Sequence, residues 1–346
     1  MVLNRFEKLK KFLAKNGCGA FLVEDKINLF YLTGLELSAG LLIATEKGGI
    51  LLVDNRYFEQ AQNCSPYPVQ LSETASLKEL LKGIPTIGVD GTVLTHHKFK
   101  EFEQLFPEKQ LLTFPNVLRS LRMVKDQQEL DSLKKAAYLG NQGFDFLQNL
   151  FREGVTEIEL AQELEIFWKR LGSKGVAFDP IVAFGSNSSM PHYRAGKTAL
   201  QSGMHILIDI GVNFEHYHSD RTRVFFFGVP NPKIVEIYQI VQTAQKEALS
   251  LCKPGTLIGD LDKAARKVIG DAGYGPLFTH SLGHGVGLEI HEEPFLRGKP
   301  PASELPLEEG VVITLEPGIY LPGEGGVRYE DTVVITSDGH EILTSS

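Results

Sequence analysis

Apolar residues near the start of the chain, Leu3, Phe6, Leu9, Phe12 and Leu13, recur at helical spacing between lysines. The pattern predicts an amphipathic surface helix rather than a signal peptide. Short apolar runs at 20–23, 41–44, 50–53 and 86–89 predict strands, and 77–81 and 98–105 predict helices. Such alternation describes a small α/β unit. Within it, DKINLFYLTG and LLVDNRYFEQA place polar and aromatic residues at strand ends and read as turns. The stretch 117–126 is the expected boundary, dividing the chain into residues 1–122 and 123–346. Beyond it a long helix is expected over 127–151. A second starts at Thr156, which forms a capping box with Glu159, and runs to Gly172. Two more are expected over 233–252 and 258–272.

At 346 residues, two domains are the default. A net charge of −8 argues against nucleic acid or an anionic membrane as partner. No apolar run approaches the length of a membrane span. Cys18, Cys64 and Cys252 are widely spaced, without metal-ligand spacing, and fit a reducing, cytoplasmic setting.

The chemistry concentrates in three contexts, LIDIGVNFEHYHSDRTRV, HSLGHGVGLEIHEEP and ITLEPGIYLPGEGGVRYED. Asp209 lies in the apolar run 206–210, and Asp220 follows eleven residues later, before the run 224–227. Glu316 follows the run 311–315, and Glu330 precedes 332–335. A carboxylate in an apolar strand is costly unless paired or bound to a metal. Here the arrangement occurs twice at hairpin-like spacing, so two hairpins can bring four carboxylates together. His284, flanked by Gly283 and Gly285, adds one nitrogen. That donor set suits a bridged pair of Mn, Co, Fe or Zn ions in a hydrolytic site. Taken singly, each carboxylate reads equally well as a cap or an ion-pair partner of Arg221, Arg223 or Arg328.

His192 lies in the Gly/Ser/Asn-rich segment FDPIVAFGSNSSMPHYRAG, while His280 and His291 flank His284. Acyl transfer needs donors for a developing oxyanion and for the leaving nitrogen, and His192 and His291 are candidates. His96, His97, His216 and His340 read as structural. So do His205 and His218, with the alternative of facing the site. No G-x-S-x-G, P-loop, H-E-x-x-H or C-x-x-C string is present.

Jointly, D-x-G-x7-S-D-x-T-R, H-x-L-G-H-G-V-G-L-x-x-H-E-x-P and E-P-G-x-Y…G-x-R-x-E-D resemble the pita-bread metallopeptidases. That group holds methionine aminopeptidase, aminopeptidase P and prolidase. YLTG and D-x-R-Y resemble the amino-terminal domain of its proline-specific branch. The resemblance implies an α+β protein in which a smaller α/β creatinase-type domain (1–122) precedes a pita-bread catalytic domain (123–346). It assigns dimerisation and control of substrate length to the first.

The resemblance also implies residue roles. Asp209 would chelate one metal, His284 and Glu316 would complete the other, and Asp220 and Glu330 would bridge. A metal-bridged hydroxide would attack the carbonyl preceding proline, with Glu316 handling its proton. His291 would stabilise the oxyanion and His192 would meet the departing proline nitrogen. Phe178 would line the proline pocket, with His280 also on the substrate side. Arg328 would hold a bridging carboxylate in register. Mn2+ leads as the ion, with Co2+, Fe2+ or Zn2+ as alternatives. Proline-containing peptides are the expected partners, and a homodimer the expected assembly.

One position departs from the pattern. Many prolidases follow H-E-x-P with an arginine that grips the dipeptide's carboxylate. Here Phe295 stands there, and the nearest arginine is Arg297. The departure tilts the expectation toward an Xaa-Pro aminopeptidase, with a strict Xaa-Pro dipeptidase as the alternative. A non-catalytic pita-bread binding protein is a third reading, but such proteins lose metal ligands and this chain keeps all five.

Overall fold

A computed structural model describes residues 2–345, without the side chains of Val2, Leu3, Thr74 and Ala75. The apolar position assigned to Leu3 therefore lies outside the described side chains. Two compact units result, Met1–Arg122 and Met123–Ser346.

In the first unit, β1 (Ala20–Val23), β2 (Leu41–Thr45), β3 (Gly48–Val53), β4 (Val69–Leu71), β5 (Thr86–Asp90) and β6 (Gln110–Phe114) form one mixed sheet. Its order is β4-β3-β2-β1-β5-β6. The helices are α1 (Val2–Asn16), α2 (Lys26–Thr33), α3 (Phe58–Cys64), α4 (Thr74–Leu80), α5 (His96–Leu105) and α6 (Val117–Arg122). On α1 the sequence spacing holds, with Phe6, Leu9 and Leu13 buried.

The segment DKINLFYLTG is a correction, because it is helix rather than turn. Asp25 caps α2 by accepting from Asn28 N at 2.9 Å, and Gly34 ends it at φ 72°. Leu29 and Leu32, three residues apart, are buried on one side of it. A helix of only two turns gives too short a period to read from sequence.

The second unit opens with α7 (Gln127–Gln148) and α8 (Glu157–Arg170), each started by a capping box, Asp126/Glu129 and Thr156/Glu159. Then come β7 (Gly175–Val176), β8 (Ile181–Phe184), β9 (His205–Ile210), β10 (Val212–Phe214), β11 (Tyr217–His218) and β12 (Arg221–Phe226). They are followed by α9 (Pro232–Ser250) and α10 (Ile258–Asp271). The remaining strands are β13 (Gly283–Gly285), β14 (Glu292–Leu296), β15 (Val312–Leu315), β16 (Gly318–Leu321), β17 (Gly325–Arg328), β18 (Asp331–Ile335) and β19 (His340–Ile342).

Each expected hairpin is nested. β9 pairs antiparallel with β12, and the small hairpin β10/β11 fills the interval. Likewise β15 pairs with β18, and β16/β17 fills theirs. Both large pairs lie against helices. Leu207, Ile313 and Val333 share a core with Ile237 and Val241 of α9 and Leu261 of α10. Ile206, Ile208 and Ile210 join Leu160, Leu164 and Trp168 of α8. A sheet buried on both faces explains why β9 reads as a continuous apolar run rather than an alternating one.

Candidate metal centre

Asp209 sits within β9, opposite Thr222 of β12 and Ile181 of β8. Asp220 immediately precedes β12, Glu316 immediately follows β15, and Glu330 immediately precedes β18. Asp220 and Glu330 thus take matching places, each just before the returning strand of its nested hairpin, while Asp209 and Glu316 stand at the ends of the outgoing strands. His284 enters from β13, whose glycines permit close strand approach: a Cβ on Gly283 would meet Thr314 O at 2.0 Å, and one on Gly285 would meet Glu293 O at 2.2 Å.

Ligand atoms of Asp220, His284 and Glu330 all lie within 4.8 Å of one another. Nε2 of His284 is 3.5 Å from Asp220 Oδ2 and 3.6 Å from Glu316 Oε1. Its Nδ1 faces the Gly285 carbonyl at 3.0 Å, which places the proton there and leaves the Nε2 lone pair toward the carboxylates. Burial, followed by the neighbouring His291, pushes the imidazole down to about 3, so these approaches join a neutral imidazole to acids rather than form ion pairs.

Burial raises Asp220 and Glu316 well above the ordinary carboxylate range, reinforced for both by the Glu330 charge. Glu330 is pushed up to about 8 by burial and then by Asp209. Without a cation this cluster holds protons it would release to a metal. Asp209 points the same way, since its Oδ1 is buried with no hydrogen-bond partner. Orphaned oxygen, unprotonated Nε2 and crowded acids together fit divalent metal ions.

Arg328 Nη2 donates to Asp209 Oδ2 at 2.6 Å. It grips that acid directly and reaches Glu330 only through Thr222: Arg328 Nε donates to Thr222 Oγ1 at 3.1 Å, and Thr222 donates to Glu330 Oε2 at 2.7 Å. Arg328 Nη1 also donates to Tyr320 OH at 2.8 Å, and Tyr320 OH is 2.9 Å from His280 Nε2. His280 Nδ1 meets the Ser281 carbonyl at 2.9 Å, so both its ring nitrogens are engaged within the protein. Thr222 and Tyr320 were not singled out in the sequence, although both fall inside the quoted motifs.

One cavity of about 400 Å³ collects Phe178, His192, Asp209, Asp220, His280, His284, His291, Glu316, Arg328 and Glu330. Phe295, Arg194 and Arg297 line it too. The guanidinium carbon of Arg297 lies 4.9 Å from the Phe295 ring centre. His291 packs its ring 4.4 Å from that of His284, and burial, then His192, pushes its pKa down. His205 and His218 are outside the cavity, bonded to Ser188 Oγ (2.7 Å) and the Gly287 carbonyl (3.1 Å). Glu292, beside His291, is fully buried against Lys125 Nζ at 2.9 Å and so anchors β14.

The metallopeptidase family M24 model matches residues 131–337, and the creatinase/prolidase N-terminal domain model matches 5–124. An Xaa-Pro dipeptidase of Pyrococcus furiosus is 38% identical over 344 residues, covering 99% of this chain and 98% of that protein. A prolidase structure from Pyrococcus horikoshii OT3 superposes with a TM-score of 0.92 at 36% identity, covering 99% of this chain and 98% of that one. An X-Pro aminopeptidase structure from Thermotoga maritima MSB8 gives 0.91 at 34% identity, with the same coverage.

Proposed function

The chain belongs to metallopeptidase family M24, and from that premise we propose that it hydrolyses the Xaa-Pro bond of bare dipeptides. Two divalent ions are held by Asp209, Asp220, His284, Glu316 and Glu330. Bound there, they supply an activated water and a Lewis acid for the scissile carbonyl.

The protein's own residues complete the chemistry. Glu316, at the cavity wall beside His284, handles the proton of the nucleophile. Neutral His291 donates to the developing oxyanion. His192 meets the proline nitrogen, and Phe178 offers the ring an apolar wall. Proline suits this site because its tertiary amide brings no N–H to satisfy.

The observation that carries the dipeptide reading is Arg297, which lines the same cavity as the metal ligands. The tilt toward an aminopeptidase rested on Phe295 replacing the carboxylate-binding arginine. Arg297 returns a cation two residues later, stacked against Phe295. Relatives named as dipeptidases at nearly full-length coverage support the same choice. Manganese as the ion, a homodimer, a cytoplasmic location, and a part for residues 1–122 in dimerisation and substrate length belong to the same proposal. Comparing kcat/KM for Xaa-Pro and Xaa-Pro-Yaa with the same Xaa, under Mn2+ and Co2+, tests it. A clear preference for the tripeptide would return the reading to an aminopeptidase.

A further inference from the structure

Glu157 opens α8, yet its side chain is fully buried. A carboxylate out of water needs donors, and this one has four. Oε1 accepts from Phe184 N at 2.8 Å and Asn187 Nδ2 at 2.9 Å. Oε2 accepts from the Tyr193 hydroxyl at 2.8 Å and Gly196 N at 3.1 Å. The peptide dipoles of the α8 amino-terminal turn favour a negative charge there as well.

All four donors belong to one stretch, residues 184–196, and His192 lies inside it. Backbone bonds bind the far end of that stretch to the start of α8: Ile158 N donates to Gly196 O at 2.9 Å and Glu157 N to Thr198 O at 3.2 Å. Asn187 Nδ2 also reaches Tyr193 OH at 3.0 Å, closing a ring among Glu157, Asn187 and Tyr193. His192 itself is exposed. Its placement therefore comes from the residues on either side. Pro191 O accepts from Arg328 Nη1 at 3.5 Å, and Tyr193 is held by Glu157.

We propose that Glu157 and Tyr193 are positioning residues for His192, aiming its ring at the metal centre through a buried carboxylate that organises the whole loop. The inference rests on the proposed role of His192 in Xaa-Pro hydrolysis. Glu157 is buried away from the cavity that Tyr193 helps to line, and each acts by restricting where His192 can be.

Tyr193→Phe deletes one hydroxyl and keeps the packed ring, and Glu157→Gln replaces one acceptor with a donor that opposes Gly196 N. The metal-loaded single variants, His192→Ala and the double variant Tyr193→Phe/His192→Ala would be assayed on an Xaa-Pro dipeptide, with metal content and Tm recorded. Each positioning variant should lower kcat roughly 2- to 10-fold, the range expected for one hydrogen bond. KM and bound metal should stay as in the parent. In the His192→Ala background, Tyr193→Phe should cost nothing further, since coupled residues are non-additive. The same fold-loss in both backgrounds would overturn the inference, as would loss of metal from Tyr193→Phe. The imidazole NMR signal of His192 gives a readout independent of turnover, and it should shift or broaden in Tyr193→Phe. A wild-type enzyme inactive on Xaa-Pro peptides would refute the functional reading, and an unchanged His192 signal would refute the positioning.

Discussion

Arg328 fixes one oxygen of Asp209 at 2.6 Å and leaves the other, Oδ1, buried with no protein partner. The guanidinium thereby orients the acid while preserving a lone pair for a cation. The same guanidinium bonds Thr222 and Tyr320, a three-way contact that the single ammonium of lysine cannot reproduce. Arg328→Lys should retain the fold and weaken metal binding by roughly 10- to 100-fold, as for other residues that orient metal ligands. Titration of the stripped variant with Mn2+ checks this, and unaltered affinity would remove Arg328 from the centre.

Glu330 gives the metal-free protein a characteristic pH dependence. Its folded value of about 8 lies above the ordinary 4.5, so the folded state holds a proton that the unfolded state releases. Metal-free protein should therefore gain stability as pH falls below about 8, with the gain complete below the unfolded value. Burial of the histidines acts oppositely below their ordinary 6.5, as for His205, which burial lowers to about 4. The acid effect is thus cleanest between about pH 8 and 7. Metal binding must displace the proton, so apparent metal affinity should fall over that interval while metal-free Tm rises. Opposite slopes would contradict a protonated cluster.

His291→Ala should lower kcat by ~10²–10³, the usual cost of one oxyanion donor. Bound metal should not change. Elemental analysis separates the outcomes, because metal release would make His291 a ligand.

Arg297→Ala should raise KM for Xaa-Pro roughly tenfold, at the scale of one hydrogen bond to a charged group, and leave kcat near the parent value. Hydrolysis of Xaa-Pro-Yaa, which lacks the carboxylate at that position, should be little affected. If both substrates lose equally, Arg297 is not reading the carboxylate.

The candidate centre was legible in sequence because its acids interrupt or border apolar runs, as Asp209 does within β9 and Glu316 does after β15. A misplaced charge in a buried strand is a local signal. The nesting of β10/β11 and β16/β17 inside the larger pairs was not readable, because strands of two to four residues carry almost no period. Helix α2 escaped for the same reason. Nothing local marks Glu157, because its four donors lie 27 to 39 residues away. The binding of Arg328 to Asp209 spans 119 residues and joins the two hairpins, a contact no local pattern announces. Arg297 was visible in the sequence, but only the cavity brings it together with the candidate ligands.

Hydrolysis of a bare Xaa-Pro dipeptide by exhaustively chelated protein, before and after reloading with Mn2+, tests the reading most directly. Stripped protein should be inactive, activity should return as about two ions bind per chain, and Xaa-Pro should be cleaved in preference to Xaa-Pro-Yaa. Turnover that persists in metal-free protein, or none with the metal sites filled, would contradict it.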